Sequence, residues 1–156
     1  MINNIQTYLT YENIYMLVNW GILPFWLMLI ISPNHIITKY FVHSIVVPLL
    51  LSVAYILVGY EIYLEGNILE GFNLYSGIES LYSMFSDEAF LLIFWLHFLS
   101  ISLFIGSWIA RDAQKYFIPK VIMIPSIVIT YFSGPIGIVF YWFFRIFFSK
   151  KIGFNE

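Results

Sequence analysis

Cysteine is absent from the 156-residue sequence, which excludes disulfide frameworks, thiolate metal sites, iron–sulfur clusters and cysteine nucleophiles. Charge is nearly as scarce: Asp, Glu, Lys and Arg make up 10% of the chain, with 7 basic against 9 acidic residues and a net charge of −2. Water-soluble domains carry roughly a quarter of their residues as charged side chains, so an ordinary soluble domain is excluded. No basic surface is left for nucleic acid, and no polybasic patch for a membrane surface. Met1 to Glu12 contain no Lys or Arg, so they lack the basic start of a signal peptide and the Arg-rich bias of a transit peptide, and read as a mature start. What is abundant is apolar surface: 61% of residues are hydrophobic, 21% aromatic, and the mean hydropathy is +0.86. The solvent for such a chain is a bilayer.

A helix crossing a ~30 Å hydrocarbon core needs about 20 mostly apolar residues. Four runs qualify, about 14–31, 44–64, 89–110 and 121–148. Stops flank each run: Ser32-Pro33-Asn34, Glu65-Gly66-Asn67, Arg111-Asp112 and Lys150-Lys151. Phe90 to Trp95 is apolar at every position, which suits helices and not the alternating strands of a barrel. The expectation is an all-α integral membrane bundle of four transmembrane helices forming a single domain over residues 1–156. The fourth run contains Pro125 and Ser133-Gly134-Pro135-Ile136-Gly137 and is expected as one span kinked at the Gly-Pro break, with Arg145 snorkelling to the interface.

Between the second and third runs, Leu74, Ile78, Leu81, Met84 and Phe85 fall near helical spacing, and a short interfacial helix or a loop dipping into the headgroups both fit. Orientation stays open. Four crossings put Arg145, Lys150 and Lys151 on one side and Lys39, Arg111, Lys115 and Lys120 on the other, which decides nothing under the positive-inside rule. A chain reversal at Gly134-Pro135 would gather all seven on one face, but about 28 residues are too few for two crossings of ~20 each.

Polar groups inside hydrocarbon are costly and therefore face a bundle interior, a cavity or a site. On the third run His97 lies on the order of 13 Å deep at 1.5 Å per residue. At 100° per residue, Ser100, Phe104, Ser107, Trp108 and Arg111 share its face. This stripe fits a histidine acting as acid, base or ligand beside an apolar cavity, and equally a histidine bonded to a neighbouring helix. Asn19, before Pro24, can satisfy carbonyls freed by the proline or present an amide to a ligand. His35 and His43 sit at the membrane boundary, so they and His97 are not expected to share a metal ion. No hydrolase elbow, phosphate loop, dinucleotide fingerprint or zinc-protease pattern is present.

Three segments carry a family resemblance: Leu81-Tyr82-Ser83-Met84-Phe85-Ser86-Asp87, Trp95-Leu96-His97-Phe98-Leu99, and Leu103-Phe104-Ile105-Gly106-Ser107-Trp108-Ile109-Ala110-Arg111-Asp112. Asn19, Leu23, Pro24 and Trp26, then Pro48, then Ser133-Gly134-Pro135-Ile136-Gly137 with Arg145 extend it over nearly the whole chain. The sequence resembles the abscisic-acid-deficient-four-like family, whose plant members are the plastid neoxanthin synthases. The resemblance implies a four-helix membrane protein of carotenoid or isoprenoid metabolism, isomerising an epoxy-carotenoid to an allene by acid–base chemistry. It implies His97, Asp112 and Arg111 as catalytic candidates, with Asn19, Trp26, Ser100, Phe104 and Trp108 lining the substrate. The partners it implies are a carotenoid or related polyene, membrane lipids, and further copies of the chain or carotenoid enzymes. No redox cofactor is expected. A bacterial inner membrane is the expected location, against the plastid membrane of the plant relatives. Where the family commonly reads Asp after the histidine and Arg before the tryptophan, this chain has Ser102 and Ser107. Two alternatives stay open: a carotenoid-binding accessory subunit without catalysis, and a histidine-iron oxygenase cleaving carotenoid to retinal.

Overall fold

The structure is a computed structural model, and it describes residues 10–44, 46–64, 72 and 75–149. Leu74 and most of the expected mature start lie outside these residues. All regular structure among them is helical: α1 (Tyr11–Ile31), α2 (Ile36–Phe41), α3 (Val46–Leu64), α4 (Ile78–Phe85), α5 (Glu88–Lys115), α6 (Lys120–Ser133) and α7 (Pro135–Ser149). Three of them, α1, α3 and α5, are long and apolar enough to cross a membrane. Many of their large apolar side chains, such as Leu17, Ile56 and Phe104, are exposed, as expected of surfaces that meet lipid rather than water.

Local chemistry sets the ends. Asp87 caps α5, its Oδ1 accepting the backbone N–H of Ala89 at 3.0 Å and of Phe90 at 3.1 Å, which satisfies amides the helix leaves unpaired. At the other end Ile118 N–H reaches back to the Ala113 carbonyl at 2.8 Å while Phe117 takes a φ of 54°, the geometry of a helix stop usually given to glycine. The segment between the second and third runs does contain a helix, α4, which buries Met84 and half-buries Leu81 and Phe85.

The fourth run differs from the single kinked span expected for it. It forms two helices of 14 and 15 residues that pack against each other. Gly134 ends α6 at φ 55°, ψ −102°, and Pro135, whose fixed φ suits a first helical position, starts α7. Residues 126 and 137 of one continuous helix would lie about 16 Å apart along its axis. Here a Cβ built on Gly137 would be 2.7 Å from the Ser126 carbonyl oxygen and would overlap the Thr130 side chain. The chain therefore reverses. Ser126 and Thr130 turn their hydroxyls back onto the carbonyls of Ile122 and Ser126, each at 2.7 Å, leaving a face of small residues against which the glycine backbone closes.

The chain divides into two compact units, Met1–Gly21 with Leu49–Phe98, and Ile22–Pro48 with Leu99–Glu156. Charge divides with them. Among the described residues, Lys39, Arg111, Lys115, Lys120 and Arg145 all belong to the second, and of the acidic ones only Asp112 does.

Candidate functional site

In the first unit, α3, α4, α5 and Tyr75 ahead of α4 border a half-open cavity of about 320 Å³ lined by Tyr55, Tyr75, Met84, Phe85, Phe90, Ile93, Phe94 and His97. Phe85 and Phe94 meet edge to face at 4.7 Å, a favoured aromatic geometry. His97 is the basic group of this lining, exposed on α5, and no hydrogen bond ties its imidazole to another described residue. An imidazole in such a lining can donate or accept a proton towards whatever occupies the space. The walls are not those that the helical face suggests: they come from α5 before His97, from α3 and α4, and from Tyr75 ahead of α4.

Asn19, in the same unit, works within it. Its amide donates to the Tyr15 carbonyl at 2.7 Å, and its Oδ1 accepts the Trp95 indole N–H at 3.1 Å. Neither bond reaches the Trp20 carbonyl, four residues before Pro24.

The other candidates belong to the second unit. Asp112 is buried, its Oδ2 accepting Tyr141 Oη–H at 2.7 Å and Arg145 Nε–H at 2.6 Å, and its Oδ1 accepting Arg145 Nη2 at 3.3 Å. Arg145 is fully buried and lies 4.7 Å over the Tyr116 ring, so it does not snorkel to the interface. Trp108 meets Tyr141 edge to face at 5.7 Å. His97 belongs to the first unit and Asp112 to the second. Trp26 is buried with its six-membered ring against Gly106, where a Cβ would lie 2.7 Å from Trp26 Cζ3, and it packs edge to face on Tyr131 at 5.3 Å. It helps to line a smaller apolar cavity of about 160 Å³. Ser100 is half-buried, and Phe104 and Arg111 are exposed.

One contact had no sequence signal beyond the polarity of its two members. Ser107 Oγ and His43 Nδ1 are 2.8 Å apart, and His43 Nε2 is 3.0 Å from the Pro33 carbonyl. A carbonyl only accepts, so Nε2 carries the proton and the neutral ring's Nδ1 accepts from Ser107. Burial, opposed by the Pro33 carbonyl and reinforced by Arg111 and Lys39, holds the His43 pKa below its ordinary 6.5. Among the described residues no three of His, Asp and Glu are grouped to hold a metal ion.

These features define a chain whose described regular structure is all helical, with three membrane-length apolar helices and an aromatic cavity holding a histidine. The sequence profile of the ABA DEFICIENT 4-like family matches residues 13–141, and the chain belongs to that family. No curated protein and no solved structure matches it significantly.

Proposed function

We propose that the protein acts on a carotenoid or related polyene, with His97 as the proton-transferring group. The observation that carries this reading is the aromatic cavity of about 320 Å³ in which His97 stands. That volume is near the lower end for a small-molecule site, which suits one end group of a long polyene whose remaining chain lies in lipid. For an epoxy end group, the imidazolium gives its proton to the epoxide oxygen as the C–O bond breaks, and the neutral imidazole takes a proton from carbon as the allene forms. Mass is unchanged, no oxidant is needed, and one residue serves as acid and then base. Family membership supports this reading. Asp112, paired with Arg145 and Tyr141, is given no part in this chemistry.

The test is a pigment profile of cells making violaxanthin or β-carotene, with the protein, its His97→Ala variant or an empty vector. A new peak of unchanged mass from violaxanthin that requires His97 is expected. Retinal from β-carotene would instead identify an oxygenase, and co-purifying pigment without conversion an accessory subunit.

The topology proposed here has three crossings, α1, α3 and α5, with α6 and α7 entering and leaving from one face in place of a fourth crossing. Lys39, Arg111, Lys115 and Lys120 then lie on the face reached by the C-terminal end of α5, and that face is cytoplasmic by the positive-inside rule. The acidic connection between α3 and α5 lies opposite.

A further inference from the structure

Charge is unbalanced in the second unit. Among its described residues the basic side chains are Lys39, Arg111, Lys115, Lys120 and Arg145, and the acidic one is Asp112. Asp112 is buried and committed to Arg145. Lys39, Arg111, Lys115 and Lys120 are exposed, and no other described carboxylate of the unit answers them.

Two of these cations are held close to one another. The Ser107–His43 contact of 2.8 Å ties α5 to the turn that continues α2, in which the His43 backbone N–H donates to the Thr38 carbonyl at 3.0 Å. Side chains four positions apart on a helical turn lie on one side of it. Arg111 follows Ser107 by four positions on α5, and Lys39 precedes His43 by four, so each cation stands one turn from the same hydrogen bond. His43 feels both: burial disfavours its protonation, the Pro33 carbonyl opposes this, and Arg111 and then Lys39 add to the effect of burial. Like charges gathered without a counter-charge repel, and an anion between them removes that cost.

We propose that Lys39 and Arg111 bind the phosphodiester of an anionic lipid headgroup. Arg111 follows the last residue of the apolar run 89–110, and Lys39 lies in the connection between the runs 14–31 and 44–64, so both stand where hydrocarbon gives way to headgroups. The guanidinium offers a fork of N–H donors that matches two phosphate oxygens, and the ammonium adds a point charge. Seven positions before Arg111, on the same side of α5, Phe104 is exposed and gives the acyl chain an apolar wall. A free phosphate ion gains nothing from that wall. His43 registers occupancy: a bound phosphodiester offsets Arg111 and Lys39, so protonation becomes easier, and by linkage the protonated form binds the lipid more tightly by the same factor.

The test reconstitutes the full-length protein into phosphatidylcholine vesicles with or without phosphatidylglycerol. Native mass spectrometry of protein released from the mixed vesicles is expected to find phosphatidylglycerol selectively retained. Retention should weaken roughly tenfold or more in the Lys39→Gln/Arg111→Gln double variant and change little in Lys115→Gln/Lys120→Gln. In protein labelled at histidine, phosphatidylglycerol should raise the pH midpoint of the His43 resonance, assigned with His43→Gln, by about 0.5 more in the parent than in Lys39→Gln/Arg111→Gln, the shift of a roughly threefold coupling. The surface potential of the vesicle is common to both proteins and cancels. Equal loss of retention in the two double variants would reveal only diffuse attraction to a basic face and would overturn the proposal. Retention or midpoint unaffected by Lys39→Gln/Arg111→Gln, in protein whose helical circular dichroism matches the parent, would overturn it too, as would an equal midpoint response to inorganic phosphate with no lipid retained.

Discussion

Asp112→Ala is expected to be among the most damaging single substitutions in the second unit. Arg145 is wholly buried and donates two hydrogen bonds to the one carboxylate, so removing Asp112 takes away the buried guanidinium's counter-charge, at a cost of about 3–5 kcal/mol. Tyr141→Phe tests the same carboxylate more gently. It removes the 2.7 Å bond but leaves the ion pair, and should cost about 1–2 kcal/mol, since bonds to charged acceptors exceed neutral ones while interhelical bonds in membranes run small. Replacing both charges, Asp112→Leu with Arg145→Met, leaves no unpaired ion and should cost within about 2 kcal/mol of nothing. The assay is equilibrium unfolding in mixed micelles with increasing dodecyl sulfate, followed by circular dichroism. The reasoning fails if Asp112→Ala costs no more than Tyr141→Phe, or if the double replacement costs as much as the two single replacements added together.

Gly137→Ala should destabilise by about 1–3 kcal/mol, because the new methyl meets the Ser126 carbonyl and the Thr130 side chain. Gly21→Ala, with nothing within 4 Å of its Cβ, should be neutral or stabilise by up to about 1 kcal/mol in the same unfolding assay. His43 is held below its ordinary pKa, so between the two pKa values the unfolded chain binds the extra proton. Its contribution is full above pH 6.5 and is lost as pH falls below that through the folded value. Stability measured at pH 7.5 and pH 5 should therefore drop more in the parent than in His43→Gln. Reporter tags on the two termini should label from opposite sides of the membrane, and labelling from the same side would refute the three-crossing topology.

Composition and run length made the helical class and three long apolar helices legible, because hydrophobic length is a local property that each segment carries alone. The fourth run was not legible in that way. Its reversal depends on Gly137 closing on Ser126 and Thr130, a contact between residues on different helices, while the length rule saw only enough apolar residues for one crossing. Arg145 shows the same limit. Its partner Asp112 lies 33 positions away, and the only signal for the pair was that both charges sit within or beside apolar runs. His97 lines a cavity whose walls could not be read from the face of α5, since Tyr55, Met84 and Phe85 arrive from other helices. The role of Asn19 in orienting Trp95 was equally non-local, spanning 76 positions.

The short α6–α7 pair also sets terms for the surrounding lipid. A helix of 14 residues rises about 21 Å, roughly 9 Å less than the hydrocarbon core of a typical bilayer. In the proposed topology, a hairpin of that height ends before the far leaflet does, so acyl chains must bend beneath Gly134 or the bilayer must thin around it. Either response costs a fraction of a kcal/mol per Å of mismatch. The protein's match to membrane thickness then depends on one helix pair, and shorter-chain lipids reduce the mismatch around it.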